Sequence, residues 1–173
     1  GGGAPVPESA ELPNHDFQTA DLSGWTVVEG NAFSNEHVTK AIDWGWGGPF
    51  NQASDRMDPE RYHLWGFNGE KGGDSLTGVL KSANFVLGGN GKIDFLIGGG
   101  ANIDRLYLAL VRASDGKELM KETGGNWEAY RRVYWDASDY IGEELYIKVV
   151  DYETGGWGHI NIDDVNVPVA IKQ

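Results

Sequence analysis

Apolar and polar residues alternate with a period of two between residues 78 and 167, and this alternation constrains the fold more than any other feature. β-Branched and aromatic residues dominate the alternating segments, and turn residues separate them. The predicted strands are 25–29, 62–67, 78–85, 92–97, 106–113, 117–122, 129–136, 145–151 and 159–167. Helical periodicity is hard to find. The pattern predicts an all-β fold, a jelly-roll β-sandwich of two antiparallel sheets.

The connections between these segments are of two kinds. Compact turns occur at residues 88–91, 114–116 and 138–143, where Asn-Gly and Asp-Gly supply the positive φ of tight turns. Longer connections occur at residues 68–77, 98–105, 123–128 and 152–158. Consecutive antiparallel strands place alternate connections at opposite ends, so the long loops should gather at one end. Binding residues commonly lie on such loops. The candidate residues there are Asp104, Arg105, Asn126, Glu128, Trp157 and His159.

Length and charge exclude several classes of protein. The chain has 173 residues, no cysteine and a formal net charge of −12. One domain is expected, over residues 14–173, with residues 1–13 as a linker or an expression-derived segment. No signal peptide or membrane span is visible in that first segment. The acidity argues against nucleic acid and against an anionic membrane as partners.

No catalytic motif stands out. Lys92 follows a glycine-rich turn, but Ile93 and a strand come next, where a phosphate-binding loop needs Ser or Thr and a helix. Asp163 and Asp164 are adjacent, and adjacent strand residues point to opposite faces. Another glycosidase pair, such as Asp104 with Glu128, is arbitrary from sequence because the carboxyl groups need a separation of roughly 5 to 9.5 Å.

Calcium is the cofactor that the sequence favours. Asp16 and Gln18 place oxygen ligands in a loop that opens a strand. Near the other terminus, apolar residues switch from even to odd positions at Asp163 and Asp164, which predicts a β-bulge there. Two carboxylates at a bulge require a cation or backbone donors, and calcium takes six to eight oxygens. The alternative is that Asp164 is solvated and Asp163 accepts hydrogen bonds from a neighbouring loop.

The tryptophans divide into two groups. Trp25, Trp127 and Trp135 lie in or beside predicted strands, so they are interpreted as core or sheet-surface residues. Trp44, Trp46 and Trp157 lie among glycines, which leave an indole accessible to a sugar face. Trp157 has two open interpretations, a sugar contact or a plug for the end of the sandwich.

A series of ordered motifs is similar to carbohydrate-binding module family 66, whose β-sandwich modules accompany family 32 glycoside hydrolases such as levanases. The similarity spans about residues 16–167. Its main motifs are Thr77-Gly78-Val79-Leu80-Lys81-Ser82, Ile97-Gly98-Gly99-Gly100, Thr123-Gly124-Gly125-Asn126-Trp127-Glu128, Trp135-Asp136-Ala137-Ser138, Gly155-Gly156-Trp157-Gly158-His159-Ile160-Asn161 and Asp163-Asp164-Val165.

The resemblance implies non-catalytic binding of terminal fructosyl units in levan or related fructans. It implies an extracellular bacterial protein whose attached catalytic domain performs the hydrolysis. Carboxylates would accept from sugar hydroxyls and an arginine, Arg105 or Arg132, would donate to them. Two alternatives remain open at this point, an autonomous glycan-active enzyme and a structural or adhesion domain without a sugar site.

Overall fold

A computed structural model describes residues 8–45, 47–51 and 61–170, and these residues form a β-sandwich. Its strands are β1 (Glu8–Ala10), β2 (Trp25–Gly30), β3 (Val38–Thr39), β4 (His63–Trp65), β5 (Gly78–Ser82), β6 (Phe85–Val86), β7 (Lys92–Gly99), β8 (Leu106–Arg112), β9 (Glu118–Glu122), β10 (Trp127–Asp136), β11 (Glu144–Asp151), β12 (Ile160–Asn166) and β13 (Val169–Ala170). One sheet has the order β10-β7-β12-β4-β3. A second sheet has the order β2-β5-β11-β8-β9, with β6 also paired to β11, and β1 and β13 form a two-stranded sheet.

Every strand pairing in the described residues is antiparallel, which confirms the predicted fold class. Short 3-10 helices lie in the connections, at Asn35–His37, Gly69–Lys71, Gly73–Ser75 and Ser138–Tyr140. None of the helices in this part of the chain is long and apolar enough to cross a membrane.

The main core lies between the two sheets. Phe95 and Ile97 of β7 pack in one apolar cluster with Leu108 of β8 and Ile147 of β11. All of these side chains are fully buried. Because successive strand residues point to opposite faces, the residues between them face outward. The outer face of the five-stranded sheet carries a separate small apolar cluster around Phe50.

The predicted bulge in the last long strand is confirmed. The register of β12 against β7 shifts between Asp163 and Asn166, and Asp164 has a φ of 49°. The shift lets Ile162 before the bulge and Val165 after it both enter the main core. The switch of apolar residues from even to odd positions in the sequence is therefore explained by this bulge.

Two sequence predictions need correction. Residues 8–13 are not a linker, because β1 pairs with β13 and Leu12 is buried in the main core. The single strand predicted over residues 78–85 is two strands, β5 and β6. Val79 packs on the outer face of the six-stranded sheet and Phe85 packs inside the sandwich, so they do not share a face.

Candidate functional site

The long loops meet at one end of the sandwich, as expected when consecutive strands run antiparallel. Asn126 in the loop after β9 donates its backbone N–H to the Gly99 carbonyl over 2.9 Å, and its Oδ1 accepts from Ala101 N–H over 2.8 Å. Asn102 in the loop after β7 donates from Nδ2 to Glu153 Oε2 over 3.0 Å. These bonds join the loops that follow β7, β9 and β11. Asn126 thus serves as a brace between loops.

A buried histidine lies between two carboxylates at this end. His159 Nε2 lies 2.6 Å from Glu128 Oε1, and its Nδ1 lies 2.6 Å from Asp74 Oδ1. Glu128 Oε1 also accepts from Asn161 Nδ2 over 3.1 Å and from Trp65 Nε1 over 3.3 Å. Glu128 therefore ties β10 to β12 and β4 across the outer face of the five-stranded sheet.

The network favours its charged form. Burial alone raises the pKa of Glu128, but hydrogen bonds from His159, Asn161 and Trp65 outweigh burial and place this pKa below its usual value. Burial alone lowers the pKa of His159, but its bonds to Glu128 and Asp74 outweigh burial and raise this pKa. Glu128 is therefore an anchored anion, and it is poorly suited to donate a proton to a substrate.

Aromatic rings enclose the buried histidine. Trp157 lies tilted by 30° against the His159 ring with centroids 5.7 Å apart, and Phe67 lies 5.4 Å from the same ring. Trp157 has a φ of 63°, a left-handed conformation that costs a non-glycine residue about 1–3 kcal/mol. The half-buried Trp157 is thus held in position by the loop, with His159 beneath it.

An exposed indole lies next to this network, at the start of β10. Trp127 is 56% exposed, and Trp44 contacts it edge-on with ring centroids 5.5 Å apart. Trp44 itself lies edge-on to Phe50, which is fully buried against the sheet. We call Trp127 and Trp44 the Trp127 surface. Further along β10, Tyr134 is 76% exposed.

The remaining tryptophans follow the sequence interpretation where the structure describes them. Trp25 and Trp135 are 7% and 8% exposed and belong to the main core. Trp46 lies outside the described residues. The sequence placed Trp127 on the sheet surface or in the core but did not single it out as a contact residue.

Asp104 and Arg105 lie over the end of the six-stranded sheet. The Arg105 guanidinium donates to the Tyr152 carbonyl and lies 3.8 Å from Glu153 Oε2. Asp104 is exposed, with its backbone N–H bonded to Asn102 Oδ1 over 3.2 Å. Both residues are at the predicted end, but within the described part of the chain no hydrogen bond or ion pair joins them to His159 or Glu128. The structure thus separates the predicted residues into two groups.

Arg132 lies away from the loops, on the outer face of the five-stranded sheet. Its Nη1 forms an ion pair with Asp94, and its Nη2 lies 2.7 Å from Asp164 Oδ2. Asn166 also donates to Asp94, over 2.9 Å. The Arg132 guanidinium therefore belongs with the acidic bulge of β12 and not with His159.

The predicted calcium ligands come together only in part. Asp163 is fully buried, and its Oδ2 has no hydrogen-bond partner in the described structure. Asp16 Oδ2 lies 3.7 Å from Arg61 Nη2. Gln18 uses its side-chain amide on the backbone of Tyr62, donating over 2.9 Å and accepting over 3.3 Å. Burial raises the pKa of Asp163 well above its usual value. One orphaned oxygen therefore fits a cation, while Asp16 and Asp164 face guanidinium groups of the chain.

No set of three or more His, Asp or Glu side chains within residues 8–45, 47–51 and 61–170 is arranged to hold a metal ion. Calcium at the bulge of β12 would need ligands besides side-chain carboxylates, such as backbone carbonyls.

One carboxyl group beneath the loops has a strongly raised pKa. Asp151 at the end of β11 is 1% exposed, and burial raises its pKa to about 7. Its Oδ1 accepts the Glu153 backbone N–H over 3.1 Å. A general acid must come within hydrogen-bond reach of its substrate. Asp151 is covered, so its raised pKa reflects burial.

These features define a class of molecule, a β-sandwich domain whose loop end carries a buried carboxylate–histidine network beside an exposed indole. No protein-family model matches the chain. In sequence, the chain is 32% identical over 145 residues to the putative glycosyl hydrolase ecdE of Aspergillus rugulosus. The aligned part is 77% of this chain and 20% of that protein, so the chain spans about a fifth of its relative's length.

Two solved structures share the fold. TmCBM61, determined in complex with β-1,4-galactotriose, superposes with a TM-score of 0.50 at 19% identity and covers 92% of this chain and 98% of its own. The C-terminal extracellular domain of Mycobacterium tuberculosis EmbC also gives 0.50, at 14% identity, over 97% of this chain and 62% of its own. At these identities the likeness establishes the β-sandwich fold.

Proposed function

We propose that this chain is a non-catalytic carbohydrate-binding domain of a larger glycoside hydrolase, and that it binds its glycan on the Trp127 surface. The relative with the putative hydrolase function is about five times longer than the aligned segment, which supports a role as one part of a larger enzyme. The shared fold with a galactotriose-binding module supports a carbohydrate ligand.

The observation that carries the proposal is the exposure of Trp127. A large indole that is 56% exposed offers a flat apolar surface in contact with water. The C–H face of a sugar ring fits such a surface, while sugar hydroxyls require polar partners beside it. Trp44 fixes the indole from the side, so little conformational freedom is lost when a sugar binds.

The carboxyl groups nearby support a binding role over hydrolysis. Hydrolysis of a glycosidic bond needs one carboxylic acid that donates a proton and a second carboxylate near the sugar. Glu128 is held as an anion by its hydrogen bonds, and Asp151 is covered by the loops. Release of reducing sugar by this chain, lost in Glu128→Gln, would contradict the non-catalytic role.

The glycan is proposed to be a fructan, with levan as the first candidate and an extracellular setting for the complete protein. The ordered motifs that resemble family 66 modules support this choice, and they include Trp127, Glu128, Trp157 and His159 of the site. The galactotriose bound to TmCBM61 makes β-1,4-galactan the main competing ligand.

Calcium is proposed as a structural ion held by Asp163. The buried Oδ2 without a partner supports it, and carboxylate oxygens are the ligands that calcium prefers. Bound there, calcium would supply the positive charge that this oxygen lacks. The alternative is that Arg61 and Arg132 supply the positive charge at this site, since they already neutralise Asp16 and Asp164.

Affinity electrophoresis tests the function, with levan, inulin, β-1,4-galactan and cellulose in separate gels. We expect retardation in levan and none in cellulose. Trp127→Ala should weaken retention by about tenfold or more, because stacking of one ring on an exposed indole contributes on the order of 1.4 kcal/mol. Tyr134→Ala is the matched control, since Tyr134 is also exposed on β10 but lies outside the Trp127 surface. Equal retention of both variants would reject the proposed surface, and no retardation in any glycan would reject the function.

A further inference from the structure

A cavity of about 360 Å³ lies next to the Glu128–His159 network, on the side of β4. Its walls come from β4 and the residues after it and from the segment around the first 3-10 helix, Asn35–His37. Asn68 ties these walls together, since its Nδ2 donates to the Glu36 carbonyl over 3.4 Å and its Oδ1 accepts from Glu70 N–H over 3.0 Å. The volume is at the lower end of the range for small-molecule sites, about 300 to 1,000 Å³.

One wall of the cavity is aromatic and fixed in position. Trp65 and Phe67 line it, with ring centroids 6.0 Å apart. Trp65 is fixed by its bond to Glu128, and Phe67 is fixed by its contact with His159. The wall is thus built on the same network that organises the loop end.

The lining of the cavity also contains a histidine with an unused donor. His37 lines the cavity and is 2% exposed. Its Nδ1 accepts the Ser34 backbone N–H over 3.2 Å, so in the neutral ring the proton is on Nε2. Burial lowers the pKa of His37, which keeps the ring neutral at pH 7. Nε2 has no hydrogen-bond partner in the described structure, and an unsatisfied buried donor is unfavourable.

The charge around the cavity disfavours an anionic ligand. Glu36 and Glu70 both line it, and both are exposed to solvent. Two carboxylates repel an anion such as a phosphate or a uronic acid, but they accept hydrogen bonds from hydroxyl groups. An aromatic wall, a buried N–H donor and carboxylate acceptors together match the surface of a neutral sugar.

We propose that this cavity is a second glycan subsite, in which one uncharged sugar residue lies against Trp65 and Phe67 and accepts a hydrogen bond from His37 Nε2. The inference rests on the proposed carbohydrate-binding function and adds a specific position for one sugar unit. The chain would then contact its glycan on both sides of the Glu128–His159 network, at the Trp127 surface and in this cavity.

Two variants of His37 separate its donor from its structural role. In His37→Asn, the amide oxygen can replace Nδ1 as the acceptor for Ser34, but no donor remains at Nε2. In His37→Gln, the amide nitrogen can occupy the position of Nε2. Calorimetric titration with levantriose and with β-1,4-galactotriose should show an affinity loss of about tenfold for His37→Asn and less than about threefold for His37→Gln. Thermal unfolding of each variant checks that the fold persists.

A spectral titration of the unchanged protein removes any dependence on the stability of these variants. Addition of the oligosaccharide that binds should shift the backbone amide signals of residues 36–39 and 68–70. Unshifted signals there, together with normal affinity of His37→Asn, would overturn the subsite. Shifts around Trp127 in the same titration would still support the proposed function. If neither oligosaccharide nor any of the polymers binds the unchanged protein, the proposed function fails first.

Discussion

At the scale of single residues, Asp151 is a group whose ionisation opposes folding. Burial raises the pKa of this carboxyl group to about 7, from 3.8, although the Glu153 N–H and His159 act in the opposite direction. The folded state therefore binds a proton between pH 3.8 and 7 that the unfolded chain releases. Stability from this group is present at low pH and is lost as the pH rises through that interval.

Replacement of Asp151 by Asn should remove this loss. The amide oxygen can still accept the Glu153 N–H, and the side chain no longer ionises. Relative to the unchanged protein, the free energy of unfolding of Asp151→Asn should rise by about 2 to 4 kcal/mol between pH 4.5 and pH 8. Urea unfolding at a series of pH values measures this difference. Asp104→Asn, a change at an exposed carboxylate of the same end, is the control. A difference that does not depend on pH would show that Asp151 is ionised without penalty.

At the scale of structural elements, the bulge of β12 joins the first loop of the chain to the five-stranded sheet. Val165 donates its backbone N–H to the His15 carbonyl over 2.9 Å, and the carboxylates of Asp16 and Asp164 lie on either side of the His15 ring. An ion bound at Asp163 would therefore strengthen a junction between two distant parts of the sequence.

Removal of calcium should lower the melting temperature if Asp163 binds it. At about 100 times the dissociation constant, calcium stabilises by about 2.7 kcal/mol, which is about 5 to 10 °C for a domain of this size. Scanning calorimetry in calcium and in a chelator tests this, and Asp163→Asn should abolish the difference. Asp94→Asn is the control, because Asp94 lies on the same face and pairs with Arg132. A melting temperature that is the same in both buffers would leave Arg61 and Arg132 as the compensating charges.

The elements that the sequence predicts well are those set by local pattern. The alternation fixed the position of β7 to within two residues, and the change of phase located the bulge at Asp163 and Asp164. Glycines in the long loops differ in how strongly the backbone requires them. Gly99 has a φ of 95°, and a Cβ on Gly100 would meet the Trp157 carbonyl at 2.1 Å. Gly156 has open space and no positive φ, so the local geometry does not require a glycine there.

The candidate site was less predictable because it depends on contacts between distant segments. Glu128 and His159 were chosen as loop residues, but Asp74, the second carboxylate on His159, was not selected from the long connection at residues 68–77. His37 was not among the candidate residues, since burial of one ring nitrogen without a partner is a property of the folded chain. The exposure of the Trp127 side chain likewise depends on the position of β10 in the folded chain, which no local sequence pattern shows.

At the scale of the whole molecule, the net charge of the chain does not contribute to binding of the proposed ligand, because a fructan is uncharged. The formal net charge is −12, and carboxylates line the proposed second subsite. This field does not change the binding free energy of a neutral glycan, while it repels a polyanion. Recognition in this molecule would thus depend on stacking and short-range hydrogen bonds, which act at contact distance.

Salt therefore provides a test of the mode of binding. The Debye length falls from about 10 Å at 0.1 M to about 3 Å at 1 M, so interactions between exposed charges are strongly screened over this range. Retention on levan should change by less than about twofold between 0.1 M and 1 M sodium chloride, because no charge on the ligand takes part. Heparin in the gel is the control for charge, and it should cause no retardation at 0.1 M. Retention on levan that falls about tenfold with salt would mean that charge carries the binding. That result would reject stacking on Trp127 as the main interaction.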